Sequence, residues 1–440
     1  MTDNSATRFI LTPGGKLTGR IRVPGDKSIS HRAIMLGSLA EGVTEVSGFL
    51  EGEDSLATLA AFRSMGVAIE GPDRGRVSLR GVGLHGLKAP RHELYLGNSG
   101  TAMRLMAGLL AGQAFDATLT GDASLSGRPM KRVVDPLTRM GARITTTTAG
   151  TAPLVISGGQ PLRGIDYAMP MASAQVKSCL LLAGLYADGR TCVTEPAPTR
   201  DHTERMLGGM GYPVRLEAGR VCLEGGHAMQ GITIDIPADI SSAAFFLVGA
   251  SITPGSDLVI EHVGMNPTRT GVIDILRHMG ASIQIANRRD VGGEPVADLQ
   301  VRPAPLYGID IPPELVPLAI DEFPALFVAA ACASGRTVLT GAEELRVKES
   351  DRIQVMADGL ATLGISATAT PDGMIIEGGK LGAGSIDSHG DHRIAMAFAM
   401  AALCAAGRVE ILDCDNVNTS FPGFVELAGA AGLRIGLGRH

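Results

Sequence analysis

The chain has little that would bind nucleic acid. Its 440 residues include no tryptophan, and aromatic residues make up only 4%. Aromatic platforms on which bases stack are therefore scarce. There is no basic excess either, because 39 Lys and Arg stand against 45 Asp and Glu, a formal net charge of −6. Since general nucleic-acid binding depends on a basic face, we expect no nucleic-acid partner.

Metal-binding cysteine patterns and long apolar runs are also missing. The chain has six cysteines, at positions 179, 192, 222, 332, 404 and 414. None forms a C-x-x-C pair or lies near a histidine, so we expect no metal site, no disulfide framework and a reducing, cytoplasmic location. The opening MTDNSATRF has no basic and apolar signal-peptide pattern. The longest apolar run, Ile394 to Ala406, is shorter than the roughly 20 residues of a membrane span, so we expect no membrane partner.

What the sequence does contain is one pattern repeated six times. Each copy has a polar opening, an apolar helix of small residues that ends at a glycine, and a β-branched strand. A second helix follows, and it closes on a glycine before another strand. The copies open near Lys27, Asn98, Ala172, Asp239, Asp321 and Asp391, and the second turns fall at glycines 66, 141, 211, 280, 364 and 432. This alternation predicts an α/β protein.

Six copies divide naturally into two similar domains of three. The stretch from Ile234 to Phe246 is the expected crossover between them. The residues alone leave open which domain pairs with the first segment, Arg8 to Arg20.

Positive side chains lie at the helix openings, where the helix dipole disfavours them. Lys27 precedes the first helix, Arg32 lies one turn in, and Ser28 or Ser30 is the expected N-cap. Free N–H groups at a helix start already attract anions, so we expect Lys27 and Arg32 to face one anion. Related openings and connections carry Arg128, Arg200, Lys348, Arg352 and Arg393. Either these cations converge on one cleft, or each is a solvated surface residue.

Two carboxylates accompany these cations. Glu349 lies between Lys348 and Arg352 and should be ionised. Asp321 is either a helix N-cap or a general base. We expect His392, at the start of the sixth repeat's helix, to be structural.

Five motifs together resemble those of the 5-enolpyruvylshikimate-3-phosphate (EPSP) synthase family, the 3-phosphoshikimate 1-carboxyvinyltransferases. They are PGDKSISHRA, GNSGTAMR, MASAQVKS, LRVKESDRI and GDHRIAMA, in the family's order along nearly the whole chain. The resemblance implies the enolpyruvyl transferase fold, an inside-out α/β barrel of two domains with three βαβαββ units each and an active site in the cleft between them. It also implies domain bounds of 21–238 for the first domain, and of 1–20 with 239–440 for the second.

The resemblance further implies an activity in the shikimate pathway of aromatic amino-acid and chorismate biosynthesis. The carboxyvinyl group of phosphoenolpyruvate moves to the 5-hydroxyl of shikimate 3-phosphate, and phosphate leaves. Both substrates are small polyanions, which suits Arg and Lys side chains. No cofactor or metal is implied, and we expect a monomer.

Residue roles follow from the same resemblance. The shikimate 3-phosphate contacts would be Lys27, Ser28, Arg32, Ser173, Ala174, Gln175, Arg200, Asp321 and Lys348. The phosphoenolpyruvate contacts would be Lys27, Gly100, Arg128, Gln175, Arg352 and Arg393. Asp321 would take the proton from the 5-hydroxyl, and either Glu349 or Lys27 would protonate the methylene carbon. Gly100 would leave room for the inhibitor glyphosate, which an alanine methyl would obstruct.

The chain departs from the family pattern at two positions. Ser124 and Thr419 stand where some or many members have a cation. Arg128 is therefore expected to bind the phosphate alone at its loop, and the missing cation predicts a lower affinity for phosphoenolpyruvate.

Two alternatives differ in substrate or class. A UDP-N-acetylglucosamine enolpyruvyl transferase shares the fold, but it usually has a cysteine in the loop equivalent to Gly121 to Arg128, where this chain has none. A non-catalytic repeat clamp that binds RNA ends is disfavoured by the negative charge and the few aromatics.

Overall fold

The structure, a computed structural model, describes residues 7–217 and 219–438. The strands of this part of the chain are β1 (Arg8–Gly15), β2 (Thr18–Ile21), β3 (Val43–Ser47), β4 (Ala68–Asp73), β5 (Arg76–Arg80), β6 (Leu94–Tyr95), β7 (Ala117–Thr120), β8 (Arg143–Thr145), β9 (Leu154–Ser157), β10 (Asp166–Ala168), β11 (Arg190–Thr194), β12 (Val214–Glu217), β13 (Arg220–Glu224), β14 (Thr233–Asp235), β15 (Asp257–Gly264), β16 (Ser282–Val291), β17 (Glu294–Arg302), β18 (Arg336–Leu339), β19 (Ser366–Thr370), β20 (Gly373–Glu377), β21 (Gly384–Asp387), β22 (Val409–Leu412) and β23 (Leu433–Gly438).

Thirteen α-helices lie between these strands in the same part of the chain. They are α1 (Lys27–Leu39), α2 (Glu53–Ser64), α3 (Gly100–Ala111), α4 (Ala123–Ser126), α5 (Lys131–Arg139), α6 (Ala174–Gly184), α7 (His202–Gly209), α8 (Ile240–Ile252), α9 (Gly271–His278), α10 (Phe323–Cys332), α11 (Arg352–Thr362), α12 (His392–Ala401) and α13 (Phe424–Ala431). Short 3₁₀ turns occur at Pro313–Leu315, Glu343–Val347, Ala402–Cys404 and Asp415–Thr419.

The chain forms two compact units. We call residues 25–236 with 291–294 the first unit, and residues 7–24, 237–290 and 295–438 the second unit. Each unit has its own hydrophobic core, one built from residues between Ile29 and Ile236, the other from Phe9 to Val23 and Ala238 to Leu433. The predicted bounds of the second domain include residues 1–6, which lie outside the described residues.

One sheet pattern recurs through both units. The first unit has three four-stranded sheets, in the orders β14-β3-β5-β4, β6-β7-β9-β8 and β10-β11-β13-β12. In each, the first pair is parallel and the remaining pairs are antiparallel. The second unit has the sheets β21-β22-β1-β23, β16-β17-β15-β2 and β18-β20-β19. The predicted α/β fold class is therefore confirmed.

Apolar helices fill the inside of each unit. In the second unit α8, α10 and α12 pack on one another, and each also packs on a strand of a different sheet, β15, β20 or β22. In the first unit α3 packs on both α1 and α6. Helix α8 is buried on every side from Ile240 to Ser251. A helix that is apolar all round must be enclosed, so only its ends are available for chemistry.

The six predicted helix-to-strand turns are confirmed by their backbone conformation. Glycines 66, 141, 211, 280, 364 and 432 have φ values of 90°, 104°, 82°, 101°, 81° and 118°. Each follows the last residues of a helix, where the left-handed conformation ends the helix and only glycine adopts it without strain.

The first segment of the chain pairs within the second unit. Strand β1 lies between β22 and β23 and is antiparallel to both. Strand β2 runs parallel to β15. The sheet β21-β22-β1-β23 thus contains strands from both ends of the described chain.

The expectation of no disulfide is wrong for one pair. Cys192 of β11 and Cys222 of β13 are disulfide-bonded. The two residues are direct partners in the antiparallel register, although 30 positions separate them in the sequence. Spacing alone could not reveal this pair, because strand register brings the sulfurs together. No helix of the described residues is long and apolar enough to cross a bilayer.

Candidate active site

Helix α1 begins at Lys27, and its N-cap is Asp26. The Asp26 carboxylate accepts a hydrogen bond from the backbone N–H of Ile29 at 2.9 Å. The prediction that Ser28 or Ser30 caps the helix is therefore wrong. Asp26 immediately precedes the helix, so its side chain reaches the free amide of the third helical residue. Ser30 lies inside the helix, where its hydroxyl accepts from the Leu50 amide at 3.0 Å.

Both cations of α1 are held in place. The Lys27 ammonium group pairs with Asp54, a buried residue of α2. Arg32 is only 3% exposed, and its guanidinium donates to Ser28 O, Thr203 Oγ1 and Ser178 Oγ at 2.7 to 2.8 Å. Neither residue behaves as a freely solvated surface cation.

The starts of α3 and α6 lie side by side. Ser99 caps α3 and Ser173 caps α6, each through its hydroxyl. Gln175, in the first turn of α6, accepts a hydrogen bond from Arg104 and donates to Thr101 Oγ1 at 2.9 Å. Ala174 is the first residue of α6, so its N–H is one of the free amides at that helix start.

Arg128 joins the same group from the connection after α4. Its guanidinium donates to Asn98 and, at 3.3 Å, to Ser124 Oγ. An ideal Cβ at Gly100 would lie 3.1 Å from Arg128 Nη1 and 3.4 Å from Arg104 Nη1. Gly100 therefore leaves space that a larger residue would take from these two guanidinium groups.

A buried histidine links the starts of α1 and α3. His31 contacts Thr58 Oγ1 at 2.8 Å and Ser99 Oγ at 3.3 Å through its two ring nitrogens. Burial, with Lys27 and Arg32 nearby, lowers the pKa of His31 well below its ordinary value. A neutral His31 thus connects Lys27's helix to Gly100's helix.

These residues make up the first-unit cluster, which we define as Lys27, Arg32, Gly100, Arg104, Arg128 and Gln175. Ser28 adjoins it through its carbonyl, which accepts from Arg32. Arg200 is half-buried in the segment between β11 and α7.

The second unit has its own charged group, centred on Arg352. Its side chain is 1% exposed, although Arg352 is the first residue of α11. It donates to Asp391 Oδ2 at 2.8 Å and Glu349 Oε2 at 2.6 Å, and Asp321 Oδ1 lies 3.4 Å from its Nη1. Three carboxylates thus surround one guanidinium.

These ion pairs shift proton affinities. Burial opposes the charge on Arg352, but Asp391 and Glu349 outweigh it and raise the pKa. Burial likewise acts to raise the pKa of Asp391, yet Arg352 holds it below the ordinary value. Asp391 also caps α12 by accepting from the Arg393 amide at 2.9 Å.

Asp321 is not a helix cap. Helix α10 begins at Phe323 with Glu322 in the cap position, so the N-cap interpretation of Asp321 is wrong. Its carboxylate instead lies 3.4 Å from Lys348 Nζ, and its carbonyl accepts from Arg393 Nη1 at 3.1 Å. Asp321, Lys348, Glu349, Arg352 and Arg393 form the second-unit cluster.

Thr419 contributes no charge to this cluster. Many family members carry a lysine at this position. Thr419 is 4% exposed, and its hydroxyl donates to Asn416 O at 2.7 Å.

Sequence reasoning missed several partners that hold the predicted residues. They are Asp54, Asn98, Arg104, Ser178, Thr203 and Asp391. Asn98, Arg104, Ser178 and Asp391 stand within the same motifs as predicted residues and were available as candidates. Asp54 and Thr203 stand outside those motifs, and only the packing of α2 and α7 on α1 brings them to Lys27 and Arg32.

Comparison with known protein families and sequences identifies the family of this chain. The family model for EPSP synthase (3-phosphoshikimate 1-carboxyvinyltransferase) matches residues 11–427. The chain belongs to this family. A relative named 3-phosphoshikimate 1-carboxyvinyltransferase from Alkalilimnicola ehrlichii is 72% identical over 97% of this chain and 96% of its own. One of the same name from Methylococcus capsulatus is 71% identical, over 97% and 98%.

Solved structures agree. The EPSP synthase of Acinetobacter baumannii superposes with a TM-score of 0.88 and 60% identity, covering 98% of this chain and 100% of that one. The enolpyruvyl transferase NikO of Streptomyces tendae has a TM-score of 0.80 at 16% identity, over 99% and 100%, which shows the shared fold. These relatives favour the synthase prediction over both alternatives.

Proposed function

We infer that the chain transfers the carboxyvinyl group of phosphoenolpyruvate to the 5-hydroxyl of shikimate 3-phosphate and releases phosphate. The observation that carries this inference, beside family membership, is the gathering of motif residues into one cation-rich cluster in each unit. Both substrates carry a phosphate and a carboxylate. Guanidinium and ammonium groups already fixed in place stabilise such anions without having to reorganise.

The first-unit cluster supports binding of shikimate 3-phosphate. We propose that Arg32, Arg200 and the α6 start with Ser173, Ala174 and Gln175 hold its phosphate and hydroxyls, with Lys27 and Ser28 at the α1 start. A helix N-terminus with a neighbouring cation is a ready anion site. Gly100, Arg128 and Gln175 would hold phosphoenolpyruvate beside it.

The second-unit cluster supports the proton transfers. Asp321 lies 3.4 Å from both Lys348 Nζ and Arg352 Nη1, so two cations fix the position of its carboxylate. We propose that Asp321 takes the proton of the 5-hydroxyl as that oxygen attacks C2 of the enol. Lys348 would hold shikimate 3-phosphate, and Arg352 and Arg393 would hold phosphoenolpyruvate.

Protonation of the methylene carbon completes the addition. Glu349 and Lys27 are both proposed donors. Glu349 is bonded to Arg352, and Lys27 to Asp54, so each is held in a fixed position. The resulting tetrahedral intermediate would then lose phosphate, and the cations would stabilise its developing charge.

We also propose the predicted domain organisation, oligomeric state and cellular location. The division into two domains of three repeats, at 21–238 and at 1–20 with 239–440, agrees with three sheets in each unit. We propose that the enzyme acts as a monomer in the cytoplasm. Light scattering coupled to size exclusion should give a mass near 45.5 kDa, and a multiple of this mass would overturn the monomer.

Phosphate release tests the activity directly. Phosphoenolpyruvate and shikimate 3-phosphate together should release phosphate, and either substrate alone should not. UDP-N-acetylglucosamine in place of shikimate 3-phosphate should give no release. A folded protein that releases none with the correct pair would remove the proposal.

The variant Lys27→Ala tests the proposed catalytic role of Lys27. Turnover should fall by about a hundredfold or more, because a cation at a developing anion lowers the activation free energy by about 3 kcal/mol. Lys27 also pairs with buried Asp54, so Lys27→Ala should cost some stability. Asp54→Asn, which removes the carboxylate and keeps Lys27, is the control for that loss. Lys27→Ala activity within about tenfold of wild type would contradict the role.

A further inference from the structure

Lys177 is a buried charge for which the proposed chemistry has no use. It lies on α6 just after Gln175 and Val176, and it is 1% exposed. Its ammonium group pairs with Glu195 Oε1 and, at 2.6 Å, with Glu204 Oε1. We call Lys177, Glu195, Glu204 and Thr199 the Lys177 junction.

One arm of the junction leads to Arg200. Glu195 follows directly after β11, and its second oxygen, Oε2, accepts from the Thr199 backbone N–H at 2.7 Å and from the Thr199 hydroxyl at 2.8 Å. Thr199 is the residue before Arg200. The segment that carries Arg200 is thus tied through Glu195 to the first turns of α6.

The other arm leads to Arg32. Glu204 lies on α7, next to Thr203. The Thr203 hydroxyl accepts from Arg32 Nε at 2.7 Å and donates to Ser178 Oγ at 2.8 Å, and Arg32 Nη2 also donates to Ser178 Oγ. Lys177 and Ser178 are consecutive residues of α6. Together they bind Glu204 and Thr203 of α7, and Ser178 also binds Arg32.

The stability of the fold does not by itself explain the buried ion pairs of Lys177 with Glu195 and Glu204. Removing one lysine and two carboxylates from water carries a large desolvation cost, and apolar residues of the same volume often stabilise as much or more. Burial, the largest effect, raises the pKa of Glu204 although Lys177 acts against it. Glu204 Oε2 is buried without a hydrogen-bond partner among the described residues. What the junction does provide is fixed geometry between three separate segments.

We propose that Lys177 is a positioning residue that fixes Arg200, Arg32 and the α6 start relative to one another, and so sets affinity for shikimate 3-phosphate. This inference rests on the proposed function, in which all three elements contact that substrate. Lys177 itself is buried and is not among the residues proposed to contact substrate. Binding groups that are misplaced by about 1 Å lose much of their effect, up to about a hundredfold.

The expected effect differs between the two substrates. Weakening the junction should raise the KM for shikimate 3-phosphate more than the KM for phosphoenolpyruvate. Arg200 and Arg32 are proposed for shikimate 3-phosphate alone, whereas Gln175, at the α6 start, is proposed for both substrates. A merely structural role would lower the amount of folded protein and leave the two KM values unchanged.

A graded series of variants measures this. Thr199→Val removes the hydroxyl bond and keeps the backbone bond, so the KM for shikimate 3-phosphate should rise by about threefold. Glu195→Gln keeps the shape but puts an NH₂ where an oxygen accepted, and Lys177→Met removes the cation, so both should raise this KM by about tenfold or more. In each variant the KM for phosphoenolpyruvate should rise by a smaller factor than the KM for shikimate 3-phosphate. Calorimetric binding of shikimate 3-phosphate alone should weaken in the same order.

Tyr212→Phe is the control. Tyr212 is buried in the same unit, and its hydroxyl donates to Glu224 O at 2.6 Å. Losing this bond should cost stability and change neither KM. If Lys177→Met does not fold, Thr199→Val and Glu195→Gln carry the test.

The outcomes separate the inference from the function beneath it. Equal changes in both KM values, or unchanged values in folded Glu195→Gln, would overturn the positioning role and leave the reaction intact. Failure of the wild-type protein to turn over the substrate pair would instead overturn the proposed function.

Discussion

The charge balance around Arg352 permits a quantitative test of the second-unit cluster. Arg352→Met removes the guanidinium and leaves Asp391, which is fully buried, beside Glu349 and Asp321. Breaking a buried pair by removing one partner costs about 3–5 kcal/mol, because the remaining charge is uncompensated. Asp391→Asn keeps an oxygen able to cap α12 and leaves Arg352 two carboxylates, so its cost should be smaller, about 2 kcal/mol.

The double variant gives the sharper result. In Arg352→Met with Asp391→Asn no uncompensated charge remains at their contact, so the loss should be smaller than the sum of the single losses by about 2 kcal/mol. Arg346→Met is the control. Arg346 pairs with Asp351 at 2.5 Å beside the same helix start and donates to the carbonyls of Thr370 and Pro371 at 2.6 and 2.9 Å. Because its side chain is 28% exposed, its loss should cost about 1–2 kcal/mol, less than the loss of Arg352.

Unfolding in urea measures these free energies. Since the chain has no tryptophan, far-ultraviolet circular dichroism is the suitable signal, and each variant must show a single transition. In thermal unfolding, each kcal/mol lost from the free energy of unfolding should lower Tm by about 2–4 °C for a unit of this size. If the two single-variant losses sum to the double-variant loss within about 0.5 kcal/mol, the argument that the two charges depend on each other is refuted.

Three further predictions concern the first unit. Gly100→Ala should raise the inhibition constant of glyphosate more than the KM of phosphoenolpyruvate, because the methyl would lie 3.1 Å from Arg128 Nη1; equal losses in steady-state inhibition would refute this. His31 stays neutral in the folded chain because its pKa is lowered. Below about pH 6.5, its ordinary pKa, only the unfolded chain gains a proton at this residue, so the free energy of unfolding decreases as the pH is lowered. Between about pH 7.5 and 5.5 this costs about 1.4 kcal/mol, and His31→Gln should flatten the wild-type slope by that amount; an unchanged slope contradicts it. Thiol titration of the unfolded, unreduced protein should find four thiols, and six would disprove the pairing of Cys192 with Cys222.

Local signals in the sequence predicted the fold well. The six helix openings and the six turn glycines could be located because capping, helix termination and apolar spacing depend on neighbouring residues. The error at α1 was also local. Asp26, Ser28 and Ser30 are all good capping residues within five positions, and only the observed helix start at Lys27 selects Asp26.

Partners distant in sequence could not be predicted in this way. Arg352 and Asp391 lie 39 positions apart, and they meet only because α11 and α12 pack together. The disulfide depends on the register of β11 and β13 in the same manner. The motif residues were therefore identified without the groups that hold them, such as Asp54 beside Lys27.

Strand β1 gives the two units different folding histories. It is the third strand of a sheet whose other members, β21, β22 and β23, are the last strands of the described chain to be synthesised. All but four residues of the first unit are contiguous in sequence, so most of its core can form while synthesis continues. The second unit must keep an early apolar strand unpaired until β22 and β23 have been synthesised. Truncation of β23 would leave β1 with an open edge, a template for aggregation.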